Sequence, residues 1–490
     1  MAVAHDSARV WCLLRAATGW LRAHGSPTRL QIPRARGKGI ARPRYPLRAL
    51  ARVGGTTESM RPDEQAADSS IRHILVVAYL YPPSNVVPAH RPAGLRRAFE
   101  SAGIRTTVLT SEISGSYDDD DAQRIIRAGD LRTRFHTQYQ TLVGYRDGPL
   151  EARAKPRWWA NYIVPDPTAA SWFPQALTQL LRLIRSDRPD VIVTTSGPES
   201  THLLGLVASS FGIPWVADYR DGWLRDVRHP APLRVIDRAL ERQIARRSTI
   251  VTAVNDAIAA DVARRHGVRA FTISNGFDRT VIADATDEKE TLDPTRFSLV
   301  YTGLLAIDVG EQPVVNRGRA AQAFLDALTL LLEKDPAFAT RLELVVAGPI
   351  SDSEREVLTR GELGKIVRVL GLLPRARALG LQQAADGLLL IPGGAGATTA
   401  KVFEYLAARK PIFAVTETEG VAAELLREAG EHTVAEPDEV ESLAAALETY
   451  LARWSAEGAE YKPRPEFDLD AYEYGNLGLK LLQLVTAREC

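Results

Sequence analysis

The sequence predicts an α/β protein of two Rossmann-like domains, each a doubly wound parallel sheet, facing each other across a cleft. Three observations predict it. Short, near-continuous apolar runs recur along the chain, as expected of parallel strands buried on both faces. Amphipathic helical stretches alternate with these runs, which is the pattern of βα units joined by right-handed crossovers. A chain of 490 residues is too long for one ordinary core and suits two domains of about 200 residues each.

The first strand is the run HILVVAY at 73–79, ended by Tyr81, Pro82 and Pro83. The next helix places Leu95, Ala98, Phe99 and Ala102 on one face, and Gly103 closes it. A second strand is expected at 106–110. The acidic tract 118–121 then interrupts the alternation, and the segment to about residue 165 reads as irregular. The pattern resumes with a helix bearing Leu177, Leu180, Leu181 and Ile184, followed by strands at 190–194, 214–217, 249–254 and 271–274. Helices are expected at 201–211 and 233–247, and Asn255 caps another that runs to His266. After a polar linker, 278–295, strands are expected at 297–301, 342–347, 366–369, 387–391 and 411–415. Helices at 320–333, 400–408, 421–428 and 440–451 alternate with them. The domain boundaries follow as 71–280 and 281–465, with a C-terminal helix in 466–490 that packs back on the first domain.

Residues 1–70 stand apart. To about Ser59 the chain is rich in Arg, Pro and Gly, and its acidic residues there are Asp6 and Glu58. This composition predicts a disordered or mis-annotated N-terminal extension, with translation from Met60 as one alternative.

Composition excludes several function classes. Hydrophobic residues make up 45% and charged residues 25%, the balance of a globular protein, and the net charge of +1 disfavours a general nucleic-acid binder. Two cysteines, Cys12 and Cys490, suggest neither a disulfide framework nor a thiolate metal site, which fits a reducing cytoplasm. No stretch offers about 18 or more consecutive apolar residues. Arg91, Arg96 and Arg97 with Trp158, Trp159, Trp172 and Phe173 leave room for peripheral contact with an anionic membrane; a solvated face and a packed core explain them too. Neither domain has a G-x-G-x-x-G after its first strand, which disfavours a dinucleotide oxidoreductase.

The most informative segment is GGAGATTAKVFEYLAARKP, residues 393–411. It follows a buried strand with small residues and opens a helix near Thr398 or Thr399. Free backbone N–H groups and the positive helix end suit a phosphate there. Lys401 adds a charge fit for a diphosphate. Glu404, three residues on and on the same face, can accept hydrogen bonds from ribose hydroxyls. A plain amphipathic helix with Val402, Phe403, Leu406 and Ala407 turned inward is the alternative reading.

This stretch resembles the donor-binding region of family 4 glycosyltransferases, which have the GT-B fold. The resemblance implies that Glu404 binds the donor ribose and that a basic pair including Lys401 grips the diphosphate. The family's second Glu stands eight positions earlier, where this chain has Gly396, so direct contact with the sugar is in question. Residues 218–223 (DYRDGW) resemble the D-x-R-D-x-W signature of polysaccharide-type members, which makes Asp221 and Arg220 the catalytic candidates. An Asp218–Arg220 pair capping the loop is the structural alternative.

Ser196, in the run TTSGP after a strand, faces the same cleft, although a Gly-Pro turn explains it almost as well. Residues 274–278 (SNGFD) resemble the N-G-x-D that ends the first domain. Gly303 would let donor phosphates approach the backbone, and Arg319 or Arg317 would supply the family's nearby arginine. Arg91, just inside the first helix, is the candidate for a phosphate of donor or acceptor.

By resemblance, residues 71–280 are the acceptor domain and 281–465 the nucleotide-sugar domain. The expected reaction is retaining transfer of a hexosyl or N-acetylhexosaminyl group from a nucleoside diphosphate sugar. Its acceptor would be a saccharide or lipid-linked saccharide, for surface polysaccharide in a bacterium. No cofactor or metal is expected, and the setting would be cytoplasmic or peripheral at the inner face of the plasma membrane. A sugar-nucleotide 2-epimerase of the same fold, or a catalytically silent partner subunit, are the alternatives.

Overall fold

The computed structural model describes residues 71–84, 86–116, 124–131, 162–223, 229–305, 307, 316–393, 399–456 and 460–487. The expected N-terminal extension, the acidic tract 118–121, Trp158, Trp159 and Gly396 lie outside the described residues.

Strands β1 (His73–Val77), β2 (Arg105–Ser111), β3 (Ile125–Ala128), β4 (Val191–Thr195), β5 (Trp215–Tyr219), β6 (Ile250–Ala253) and β7 (Ala270–Thr272) form one sheet in the order 3-2-1-4-5-6-7. Strands β8 (Phe297–Thr302), β9 (Leu342–Ala347), β10 (Val367–Gly371), β11 (Gly387–Leu390), β12 (Ile412–Val415) and β13 (Thr433–Ala435) form a second, in the order 10-9-8-11-12-13. All pairings between these strands are parallel. Each sheet therefore reverses its winding once, between β1 and β4 and between β8 and β11, and such switch points open crevices at the carboxyl ends of the strands.

Alternation along each strand explains the apolar runs. Leu75 and Val77 pack on one face of the first sheet with Trp172 and Trp215, while Ile74 and Val76 pack on the other. Leu299 and Tyr301 belong to one face of the second sheet and Val300 to the opposite one. Covered on both sides, these strands have no polar face to show.

Helices α1 (Val87–Ser101), α2 (Phe173–Ser186), α3 (Thr201–Ser210), α4 (Ala231–Arg247) and α5 (Asp256–His266) flank the first sheet. Around the second lie α6 (Asn316–Lys334), α7 (Asp352–Thr359), α8 (Arg375–Ala384), α9 (Ala400–Ala407), α10 (Val421–Ala429) and α11 (Val440–Trp454). Asn255 caps α5 as expected, its side chain accepting from the Ile258 N–H at 2.9 Å.

The last helix, α12 (Tyr474–Thr486), returns to the first domain, where Tyr474, Leu477, Leu481 and Val485 join the core with Ile74 and Val76. It lies close to α1 because the contact is made by glycines. A Cβ at Gly478 would fall 2.3 Å from that of Ala98, and one at Gly94 would fall 2.3 Å from the Tyr474 ring. The two passages between the domains are tied together: the Phe277 N–H donates to the Tyr472 carbonyl at 3.1 Å, and the Tyr474 N–H to the Phe277 carbonyl at 3.0 Å.

Three departures from the sequence reading matter. The edge strand β3 occupies part of the segment read as irregular and the edge strand β13 a stretch left without a strand, both being short and only partly buried. Helices α7 and α8 carry no long apolar stripe, so their period is weak. Strand β5 runs on to Tyr219, which puts Asp218 inside the sheet and not in the loop after it.

Candidate functional site

The carboxyl edges of the two sheets meet over a cavity of ≈ 520 Å³. The first domain contributes Pro82, Pro83 and Ser84 after β1, and His90 and Arg97 from α1. The second contributes Leu372, Leu373 and Pro374 after β10, Arg375 at the start of α8, and Glu404 from α9. Tyr474 and the crossing residues Gly276, Phe277 and Asp278 form its floor. Each domain thus contributes both apolar and charged surface, a combination that suits a flat ring carrying a polar sugar.

Helix α9 is held in place by its own Tyr405, whose hydroxyl accepts from the Thr302 N–H at 3.0 Å at the end of β8. Val402, Phe403 and Leu406 face the core, which sends Lys401 and Glu404 the other way. The Lys401 Nζ rests 4.3 Å from the centre of the Tyr301 ring, within range of a cation–π contact. It also passes over Gly303, whose φ is +115° and where an added Cβ would fall 2.5 Å from that Nζ. Glycine at 303 therefore serves both the backbone conformation and the path of the lysine. The glycine-rich turn itself, 394–398, lies outside the described residues. Thr399 precedes α9 with its Oγ1 buried and, among the described residues, without a hydrogen-bond partner.

Glu404 is buried and receives both terminal nitrogens of Arg375, at 2.7 Å on Oε1 and 3.2 Å on Oε2. Burial acts to raise its carboxyl, but the charge and hydrogen bonds of Arg375, with Lys401 nearby, hold it below the ordinary range. His90 reaches across from the first domain, its Nδ1 3.8 Å from Glu404 Oε1. Burial, reinforced by Arg375, pushes the imidazole down to about 3, so it is neutral at physiological pH. Sequence reasoning missed Arg375; its place at a helix start just after Pro374 was the signal available.

The first domain's candidates divide. Arg91 is 2% exposed and fully engaged in the sheet: its Nε and Nη2 donate to Asp218 at 2.8 Å each, Nη1 to the Ser274 carbonyl at 2.6 Å and Nη2 to that of Ile273 at 2.8 Å. That geometry joins α1 to β5 and to the end of β7, and it leaves the guanidinium no open face for a phosphate. The pairing of Asp218 with Arg91 also replaces the Asp218–Arg220 pair allowed by the sequence. Trp223 is likewise structural, donating to Asp237 at 2.8 Å.

Arg220 and Asp221 follow β5 and pair with each other at 3.2 Å, with Arg220 18% and Asp221 68% exposed; neither is among the residues that line the cavity. The Ser196 hydroxyl is buried and accepts from the Arg220 N–H at 2.8 Å, so it shapes the loop that presents Arg220. Arg319 is exposed on α6, and the Arg317 side chain lies outside the described residues. Among the described residues no group of three or more His, Cys, Asp or Glu is placed to hold a metal ion. None of the described helices is long and apolar enough to cross a membrane.

Residues 88–276 match the Glycosyl transferase 4-like domain. The match lies within the first domain, and the chain has the GT-B fold. Sucrose-phosphate synthase from Thermosynechococcus elongatus aligns over 84% of this chain and 98% of its own, at 14% identity and a TM-score of 0.56. The Anabaena protein HepE, solved in complex with UDP-glucose, aligns over 85% and 99%, at 14% identity and a TM-score of 0.53. A Listeria monocytogenes protein described as a UDP-N-acetylglucosamine 2-epimerase aligns over 86% and 97%, at 12% identity and a TM-score of 0.50. At such identities the likeness is one of fold. No curated protein matches the sequence.

Proposed function

We propose that this GT-B protein is a retaining glycosyltransferase that moves a sugar from a nucleoside diphosphate sugar to a saccharide or lipid-linked saccharide, in the assembly of surface polysaccharide. One observation carries the reading: a cavity between the sheets is lined by Glu404, oriented by Arg375, and Lys401 stands one helical turn away over Gly303. A nucleoside fits the first place and its diphosphate the second. HepE, which shares the fold, was solved with UDP-glucose bound.

In this scheme the C1–O bond to the diphosphate breaks and the leaving group gathers negative charge. Lys401, the first N–H groups of α9 and the Thr399 hydroxyl stabilise that charge, with Gly303 allowing close approach and Arg319 adding to the field from α6. Arg220 and Asp221, paired in the loop after β5, are assigned the orientation of the acceptor hydroxyl. The cleft is proposed to work in the cytoplasm, with contact at the inner membrane face where the acceptor is lipid-linked. The test is a thermal-shift panel of UDP-, GDP- and dTDP-sugars, followed by mass spectrometry of products formed with a lipid-linked acceptor. A shifted melting curve and a glycosylated lipid support the proposal; a flat panel overturns it.

A second reading draws on His90. A neutral imidazole beside a carboxylate in the cleft is chemistry that a sugar-nucleotide 2-epimerase would also use, and the Listeria protein of that description shares the fold. Epimerised donor formed without any acceptor would favour it over transfer.

A further inference from the structure

His90 approaches Glu404 from the first domain, 3.8 Å away, and the transfer mechanism above does not use it. Neither of its ring nitrogens has a hydrogen-bond partner among the described residues, although the side chain is only 15% exposed. Buried polar atoms of this kind are normally satisfied, so an unpartnered pair lining a cavity points to a group supplied from outside. The 3.8 Å between Nδ1 and Glu404 Oε1 is too long for a hydrogen bond. It is short enough for one hydroxyl oxygen, about 2.8 Å from each, to bridge them.

We infer that His90 is a second residue of the ribose subsite, reaching from the first domain to a hydroxyl shared with Glu404, so that selection of ribonucleoside over deoxyribonucleoside diphosphates depends on both domains. The inference rests on the nucleoside reading of the cavity, with Glu404 on the ribose, and goes beyond it by naming the first-domain side chain that shares the hydroxyl. A neutral imidazole carries one donor and one acceptor. It can donate to a hydroxyl that in turn donates to Glu404. Arg375 occupies one direction on each Glu404 oxygen and leaves the second lone pair of each free for a hydroxyl. Pro82, Pro83, Leu372 and Leu373 line the same cavity with apolar surface suited to a base. Because His90 comes from one domain and Glu404 from the other, a bound ribose would also join the two walls. On this account dTDP-sugars, which lack the 2′-hydroxyl, are poor donors.

The test is calorimetric titration of the full chain with UDP, GDP and ADP, then with the 2′-deoxy and 3′-deoxy forms of whichever binds. Wild type is expected to bind each deoxy form about tenfold more weakly, one hydrogen bond being lost. In His90→Phe, which keeps a ring, the loss at the bridging hydroxyl should shrink to that of its remaining bond to Glu404, while the other loss is unchanged. His90→Gln, which keeps a donor and an acceptor, should restore part of it. A ratio of affinities is insensitive to general loss of folded protein, so a merely structural role would leave it unchanged. Equal binding of ribo and deoxy forms by wild type, or both losses intact in His90→Phe, overturns the inference and leaves the nucleoside reading standing. Failure of all three nucleotides to bind overturns both.

Discussion

Arg91 with Asp218 and Arg375 with Glu404 are chemically the same pair, an arginine gripping a carboxylate through two nitrogens. Both lie near the carboxyl edge of a sheet. Their surroundings differ. The first pair is 2% and 1% exposed, and the remaining capacity of both partners goes to the Ser274 and Ile273 carbonyls and the Thr252 hydroxyl. The second pair is 27% and 8% exposed and lines the cavity. In each, burial acts to raise the acid and the arginine overrides it, so both carboxylates are charged. The pair closed within protein is part of the frame, whereas the pair with lone pairs turned to an open cavity is available to a ligand.

The sharpest way to break that comparison is Arg91→Ala. It strands a buried carboxylate, and breaking such a pair costs about 3–5 kcal/mol, read as a lowered denaturation midpoint. A variant of near-wild-type stability that fails to bind nucleotide would return Arg91 to the ligand. Glu404→Ala reverses the pattern. Losing hydrogen bonds to a charged group should weaken donor binding about tenfold to a hundredfold, while the midpoint moves less than for Arg91→Ala.

Acid separates the regions in a third way. His202, behind the first sheet's crevice and bonded to Thr194 at 2.7 Å, is pushed by burial from 6.5 down to about 4. The unfolded chain takes up a proton below 6.5 that folded His202 refuses, so its contribution to stability is lost as pH falls from 6.5 through about 4. The stability of His202→Phe relative to wild type should therefore improve over that window when both are measured by urea unfolding. A constant difference would contradict the buried, neutral assignment. The smallest effect belongs to Asp221→Asn, an exposed change expected to stay within about 0.5 kcal/mol in stability and to leave donor affinity unchanged. Turnover alone should fall; unchanged turnover would remove Asp221 from the reaction.

What the sequence made legible follows the same division. The central strands announced themselves because both faces are buried, and HILVVAY and FSLVY have no polar side to confuse the period. Strands β3 and β13 did not, since an edge position tolerates mixed polarity. Lys401 and Glu404 were legible because their spacing within one helix fixes their common face. Arg375 stands 29 residues from Glu404 and Arg91 stands 127 from Asp218. Nothing local says which arginine meets which acid, so Arg91 reads as a ligand residue and Arg375 goes unnoticed until the fold is known.

The central claim is that the cavity between the sheets binds a nucleoside diphosphate through Glu404, and titration calorimetry of wild type and Glu404→Ala tests it most directly. The account predicts saturable binding of a ribonucleoside diphosphate to wild type, weakened at least about tenfold in the variant, with both proteins folded. Equal affinity in the two, or no binding to wild type, would contradict it.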